Sequence, residues 1–245
     1  AVFSLPAILM INSAGALALS APPREPPAFF PAPLDADPLA TTVDLRVLVR
    51  FFQNPVAAVL SGRLDLRFAE VEQDTGDREP FTLSFLEQWQ IGDELVKAGL
   101  QGIDAETLWP AMRESGRLPM GTPGRATFDK LAATAASIVE TALECGAGAP
   151  QPNVDLDIEL AGLRLIGRLD GRRTGGSLYV SYSKLDAKRL LPAWIRHLAA
   201  NATGLTPGAT WAVGRGKSGG EAHGWEGQPA AGRWLRQLLA LYAEG

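Results

Sequence analysis

The chain has one cysteine, Cys145, so no internal disulfide can form, and such usage fits a reducing cytoplasm. Two histidines, His197 and His223, and the absence of any CxxC pair exclude the usual structural zinc sites. No serine, histidine and acid set stands out for covalent catalysis. Residues 1–23 carry no charge, and residues 14–21 could pass for the end of a signal peptide. There is, however, no initiating Met and no basic leader, and Pro6, Asn12 and Gly15 interrupt the run. The same breaks leave it too irregular to read as a membrane span. A start at Ala1 and a stop at Gly245 after a helical pattern give the expectation of a piece of something longer. No internal repeat is visible.

What is present suits a folded domain. With 245 residues, 46% hydrophobic and 20% charged, the chain can bury a sizeable core as one large domain or two small ones. The net charge of −4 hides a strong asymmetry. Residues 1–160 carry a net charge of −11, whereas residues 164–217 hold ten Lys/Arg against only Asp170 and Asp186, a net charge of +8. A basic face for a polyanion would produce this polarity, and so would ordinary decoration of a solvated sheet.

Pro22, Pro23, Pro26, Pro27, Pro31 and Pro33 make residues 1–41 end in a linker-like approach. The apolar run that Thr42-Val43-Asp44 opens, Leu45, Val47, Leu48, Phe51 and Phe52, predicts a helix, and Asn54-Pro55 restarts it as a helix-turn-helix-like pair. A short strand is expected at Leu64 to Phe68, then an acidic loop. Helices are expected from Leu83 to Leu100, from Asp104 to Met112, and from Ala126 to Leu143 after a break at Gly121-Thr122-Pro123-Gly124. Residues 42–145 thus read as mostly helical, with Phe51, Phe52, Phe81, Phe85 and Trp89 as core candidates. Beyond Gly146 the pattern changes. Val154 to Leu160 alternates strictly, Ala161-Gly162 turns the chain into Leu163 to Leu169, and Gly171 to Gly176 turns it again into Leu178 to Ser183. Residues 186–201 read as a helix with Pro192 near its first turn or at a bend, Trp211 to Val213 as a short strand, and Ala230 to Tyr242 as a last helix. Residues 153–245 therefore form a mixed sheet-and-helix core, and the fold class is α/β (α+β).

The chemistry concentrates in Gly167-Arg168-Leu169-Asp170 and Leu178-Tyr179-Val180-Ser181-Tyr182-Ser183-Lys184. Metal-dependent nucleases of the PD-(D/E)xK type need an Asp ending one strand and an Asp/Glu-x-Lys triplet on the next. Spacing i, i+2 then puts carboxylate and lysine on one strand face, for metal binding and water activation. Asp170 fits the first position, although it reads equally as a turn residue before Gly171. Ser181 and Ser183 stand where the carboxylate and lysine should be, sharing a face with Tyr179, and two neutral hydroxyls cannot neutralise Mg²⁺. Sliding by one residue recovers Lys184 but no acid. The literal triplet Asp186-Ala187-Lys188 reads as a helix cap and basic first turn, where i and i+2 diverge. Gly214-Arg215-Gly216-Lys217-Ser218-Gly219-Gly220 lacks the spacing and following helix of a phosphate loop and reads as a mobile basic loop. His197 reads as a packed or half-exposed helix residue and Cys145 as structural.

Further segments resemble one family. Phe51-Phe52-Gln53-Asn54-Pro55-Val56, Glu79-Pro80-Phe81, Ser115-Gly116-Arg117-Leu118-Pro119-Met120-Gly121, Gly167-Arg168-Leu169 and Trp194-Ile195-Arg196-His197-Leu198 are similar to the C-terminal portion of the RecC family. That family comprises the gamma chains of bacterial exodeoxyribonuclease V, the RecBCD complex. The proline-rich approach Arg24-Glu25-Pro26-Pro27-Ala28-Phe29-Phe30-Pro31 also resembles its linker, so the match spans roughly residues 24–245. The resemblance implies a catalytically degenerate, restriction-endonuclease-type core, similar to the nuclease domain of RecB, that holds subunits together and guides or splits the DNA end. It implies RecB and RecD as partners, Mg and ATP used by those partners and not by this piece, and no metal of its own. Arg168, Arg172, Arg173, Lys184, Lys188, Arg189, Arg215 and Lys217 are the candidates for DNA contacts. Two rival readings stay open. One is an active Mg²⁺ nuclease using Asp170 with Asp186 and Lys188, or with Glu159; the other is a pure protein-interaction domain.

Overall fold

The computed structural model describes residues 41–62, 66, 82–160, 162–205 and 208–244, all within a unit spanning Leu39–Gly245. The proline-rich approach, the acidic loop, Phe81 and, apart from Leu66, the strand expected at Leu64 to Phe68 lie outside the described residues.

Tertiary pairing adds a strand ahead of the first expected helix. Thr42–Asp44 form strand β1, parallel to the later strand Leu163–Leu169, with Val43 opposite Leu165. Helix α1 (Leu45–Gln53) starts only after Asp44, whose carboxylate accepts from the Arg46 N–H at 2.7 Å. Helix α2 (Pro55–Gly62) restarts as expected, capped by the Asn54 side chain, which accepts from the Ala57 N–H at 3.0 Å. A reciprocal capping box, Ser84 with Glu87, opens α3 (Phe85–Leu100). Asp104 caps α4 (Ala105–Glu114). The expected break at Gly121-Thr122-Pro123-Gly124 is mostly the first turn of α5 (Thr122–Glu144), where proline costs nothing because its N–H would have no helical partner.

Strands β2 (Val154–Leu160) and β3 (Leu163–Leu169) form the expected hairpin, in register from Val154 opposite Leu169 to Leu160 opposite Leu163. After them come β4 (Arg172–Arg173), β5 (Gly176–Lys184), α6 (Ala187–Thr203), β6 (Ala209–Arg215), β7 (Gly220–Trp225) and α7 (Ala231–Glu244). One sheet has the order β1-β3-β2 and the other β4-β5-β6-β7. Within the second, β5 and β6 are parallel and α6 is their crossover, while the outer pairs are antiparallel. Pro192 is the sixth residue of α6, in its second turn. Its missing N–H leaves the Lys188 carbonyl without a helical partner, and Gln53 Nε2 approaches that carbonyl at 3.4 Å.

Two cores form. In one, Leu45, Leu48, Leu165, Leu169, Ile195, Leu198, Leu235 and Leu239 join α1, the hairpin, α6 and α7. In the other, Ile91, Phe128, Ile138, Leu178, Tyr182 and Val213 join α3 and α5 to one face of β5 and β6. Helix α6 lies on the opposite face, where His197 Nδ1 meets the Thr210 hydroxyl at 2.9 Å. The aromatic core expectation needs correction. Phe85 is 92% exposed because, as the first residue of α3, it points away from the sheet-facing stripe of Ile91, Leu95 and Val96. Trp89 keeps partial exposure, Phe51 and Phe52 are half-buried against Tyr242 and each other, and Trp234 also remains partly exposed.

Two measurements follow from this packing. A Cβ on Gly92 would stand 2.5 Å from the Tyr182 ring, so Gly92→Ala must push α3 off β5. Thermal denaturation should show a loss of about 1–3 kcal/mol; an unchanged midpoint would mean that α3 does not seat on Tyr182. His197 is 1% exposed, and among the described residues its Nε2 makes no hydrogen bond of good geometry. Burial pushes its pKa below 6.5, partly offset by the Glu226 backbone. The unfolded chain therefore takes up this proton more readily, so the contribution is complete above 6.5 and is lost as the pH falls below that and through the lower folded-state value. Acidifying from about pH 7.5 to about pH 5.5 should lower the midpoint more in the parent than in His197→Asn; equal slopes would contradict the assignment.

Candidate functional site

The carboxylate that the sequence singles out is met by an arginine. Asp170 follows β3 and is 55% exposed, and its Oδ1 lies 3.5 Å from Nε of Arg196 on α6. The Arg196 guanidinium lies 5.5 Å from the centre of the Tyr179 ring, over β5. The Tyr179 hydroxyl in turn donates to the Asp170 carbonyl at 3.1 Å. Burial, then the neighbouring carboxylate, holds the Tyr179 phenol above its usual pKa, with Arg196 and the Ser177 side chain opposing. The phenol therefore stays protonated and serves as a fixed neutral donor. Arg196 was missed by sequence reasoning because a single arginine within an amphipathic helix gives no signal without knowledge of which strand end it reaches.

The two serines do not join this group as strict alternation would have them do. Pairing of β5 with β6 is regular from Gly176–Ala209 to Val180–Val213, then shifts before Lys184–Arg215. In that interval β5 spends four residues against two on β6, which breaks the alternation between Tyr179 and Ser183. Ser183 is buried and its Oγ accepts from Trp89 Nε1 on α3 at 2.9 Å, on the face away from α6. Ser181 Oγ accepts from the Ser183 N–H at 3.3 Å. Tyr182 N–H meets the Asp93 carboxylate of α3 at 3.3 Å, anchoring the same bulged stretch.

The acids of the rival nuclease reading are spread out. Asp186 caps α6, accepting from the Arg189 N–H at 3.0 Å, and lies ten residues from Arg196, about 15 Å along the helix. Glu159 lies at the far end of the β2–β3 hairpin from Leu169, opposite Arg164. Among the described residues no three or more His, Cys, Asp or Glu side chains gather as a group that could hold a metal ion.

The basic candidates divide between two ends of the second sheet. Lys184 pairs across to Arg215, whose guanidinium lies 5.3 Å over the Tyr182 ring. Exposed Lys188 and Arg189 open α6 at that same end, and exposed Lys217 sits in the β6–β7 turn. Arg172 and Arg173 pair with Ser177 and Gly176 at the other end of β5, roughly 25 Å away at the usual strand rise. Arg172 donates to the carbonyls of Pro152 at 2.7 Å and Leu205 at 3.2 Å, so it also ties loops together. Arg168 is exposed on β3, opposite Asp155.

The glycine-rich run read as a mobile basic loop is a tight hairpin turn, with Gly216 N–H donating to the Gly219 carbonyl at 2.7 Å. Its glycines have a packing reason. Gly220 N–H donates to Ser137 Oγ at 2.8 Å, and a Cβ there would stand 2.5 Å from the Ser137 carbonyl oxygen. Strand β7 was unforeseen because Gly220 and Gly224, which admit α5 and the Trp211 ring, mask its alternation. Cys145 ends α5 with its thiol donating to the Thr141 carbonyl at 3.2 Å. Burial, followed by the Glu144 charge, pushes that thiol above its usual pKa, which suits a structural cysteine.

Among known proteins, the RecBCD enzyme subunit RecC of Escherichia coli (strain K12) is 30% identical over 219 residues, covering 84% of this chain and 18% of that relative. The RecBCD enzyme subunit RecC of Mycolicibacterium smegmatis is 32% identical over 225 residues, covering 89% of this chain and 20% of the relative. The corresponding subunit of Mycobacterium tuberculosis (strain ATCC 25618 / H37Rv) is 29% identical over 226 residues, again 20% of its length. The chain thus spans about a fifth of the curated relatives it matches. Residues 40–245 match the family described as the RecC C-terminal domain. With its mixed α/β architecture and a match over most of its length, this chain belongs to the RecC C-terminal domain family.

Proposed function

We propose that this domain is a non-catalytic DNA-handling and scaffold element of the RecC subunit in a RecBCD-type helicase–nuclease acting in double-strand-break repair and recombination. The observation that carries the non-catalytic part is the pairing of Asp170 with a guanidinium instead of a second carboxylate. A hydrolytic site needs several hard oxygen ligands around one divalent ion. Here the order of strands β2, β3 and β5, helix α6 and strand β6 supports a nuclease-like core, while the triplet positions hold Ser181 and Ser183, the latter engaged by Trp89. Mg and ATP are then used by partner subunits.

DNA handling is supported by Lys184, Lys188, Arg189, Arg215 and Lys217, which share one sheet end. Contacts of this kind address phosphates, position a strand without reading sequence, and weaken steeply with salt. Phe85 and Leu86, left exposed on α3, suit a partner-subunit surface, with RecB and RecD the expected partners in a cytoplasmic assembly.

The reading is tested by incubating the purified chain and its Asp170→Ala variant with single-stranded, duplex and forked DNA in Mg²⁺ or Mn²⁺. Neither should cleave above background. Metal-dependent cleavage abolished by Asp170→Ala would replace this reading with that of an active nuclease. In parallel, Lys184→Glu/Arg215→Glu should weaken binding to forked DNA and flatten its salt dependence; salt-insensitive binding would remove the DNA-handling part.

A further inference from the structure

Arg196 has the geometry of a ligand-binding group and not only of a structural ion pair. Its guanidinium carries five N–H donors. The approach to Asp170 at 3.5 Å is an ion pair, and among the described residues none of those donors makes a hydrogen bond. The side chain is 24% exposed, so its outer edge reaches solvent while its flat face is held over Tyr179. Tyr179 cannot easily yield, because its hydroxyl is spent on the Asp170 carbonyl. The result is a planar cation held on one edge by a carboxylate, steadied beneath by an aromatic ring, and left with unused donors. A rigid fork of this kind matches two oxygens of a phosphate better than a mobile lysine does.

Its surroundings supply a track. Arg189 lies seven residues before Arg196 on α6, two turns away and on the same helix face. Their separation along the axis is roughly 10 Å, about three nucleotide steps of a strand at its usual axial spacing. Pro192, between them, brings no charge to that face. The Lys184 and Arg215 cluster continues the positive surface past the helix start.

We propose that Arg196 binds a phosphodiester of a DNA strand lying along α6, standing where a nuclease-like core would place its metal ion, with Asp170 and Tyr179 as positioning residues. This rests on the DNA-handling reading above. Asp170 then has two opposed effects: it orients the guanidinium, and it repels the incoming phosphate. The two members of one ion pair should therefore change DNA affinity in opposite directions, which a purely structural pair would not do.

The experiment is a titration of the 245-residue chain with fluorescently labelled forked DNA in EDTA, at several salt concentrations, with melting curves for every variant. Arg196→Ala should weaken binding roughly tenfold and reduce the salt slope by about one. Arg196→Lys, which keeps the charge and loses the fork, should fall between. Asp170→Asn should tighten binding several-fold without added metal. Lys184→Glu serves as the control for the wider basic surface. If it weakens binding while Arg196→Ala leaves affinity unchanged, the Arg196 site is wrong and the DNA-handling reading stands. If Arg196→Ala and Asp170→Asn lower the melting point alike and leave affinity unchanged, the pair is structural and the proposal fails. Weakened binding by Asp170→Asn would also overturn it. If the parent chain itself does not bind, both readings fall together.

Discussion

The architecture depends on α6 being buried on two sides. Its Ile195, Leu198 and Ala199 belong to the core with α1, the hairpin and α7, while His197 reaches across to Thr210 on β6. From Ala193 onward every residue of the helix is buried or half-buried. A helix so enclosed leaves only a narrow stripe for charge, and on that stripe Arg196 meets the end of β3. The crossover between parallel β5 and β6 and the burial of the His197 imidazole both follow from placing one helix between two packed layers.

The second constraint is the seat of α3 on β5. Gly92 admits the Tyr182 ring, Asp93 takes the Tyr182 N–H, and Trp89 takes Ser183. Three contacts, one per helical turn or closer, hold the strand where its register with β6 slips. The bulge is thereby stabilised from the side opposite Arg196. Asp93 also pairs with Lys97 at 2.8 Å one turn on, so this nearly buried acid is not left without a cation.

Much of this was legible in the sequence. The β2–β3 hairpin followed from the strict alternation of Val154 to Leu160 and the Ala161-Gly162 turn, and two helix starts followed from Asp104 and Asp186 as caps, whereas the Ser84 cap emerged only in the structure. Local signals failed where tertiary contact decides. Thr42–Asp44 reads locally only as the lead-in to a helix, but its backbone pairs with β3. Phe85 has the composition of a core residue, but its place on α3 turns it outward. At the site, Asp170 and the neutral Ser181 and Ser183 were readable, whereas the break in the Tyr179–Ser183 face and the arrival of Arg196 were not. A bulge depends on how many residues the neighbouring strand uses, and an ion pair across 26 residues depends on the whole crossover between them.

The bond between Trp89 and Ser183 also bears on evolutionary reversibility. On the proposed reading, position 183 is where a nuclease-like triplet would carry its lysine. A lysine there would press an ammonium donor against the indole N–H that now uses the serine oxygen. On that reading a lysine at 183 disturbs a satisfied contact, so a working triplet would need a compensating change on α3 as well as on β5. The contact between Trp89 and Ser183 would then work as a ratchet against that single substitution.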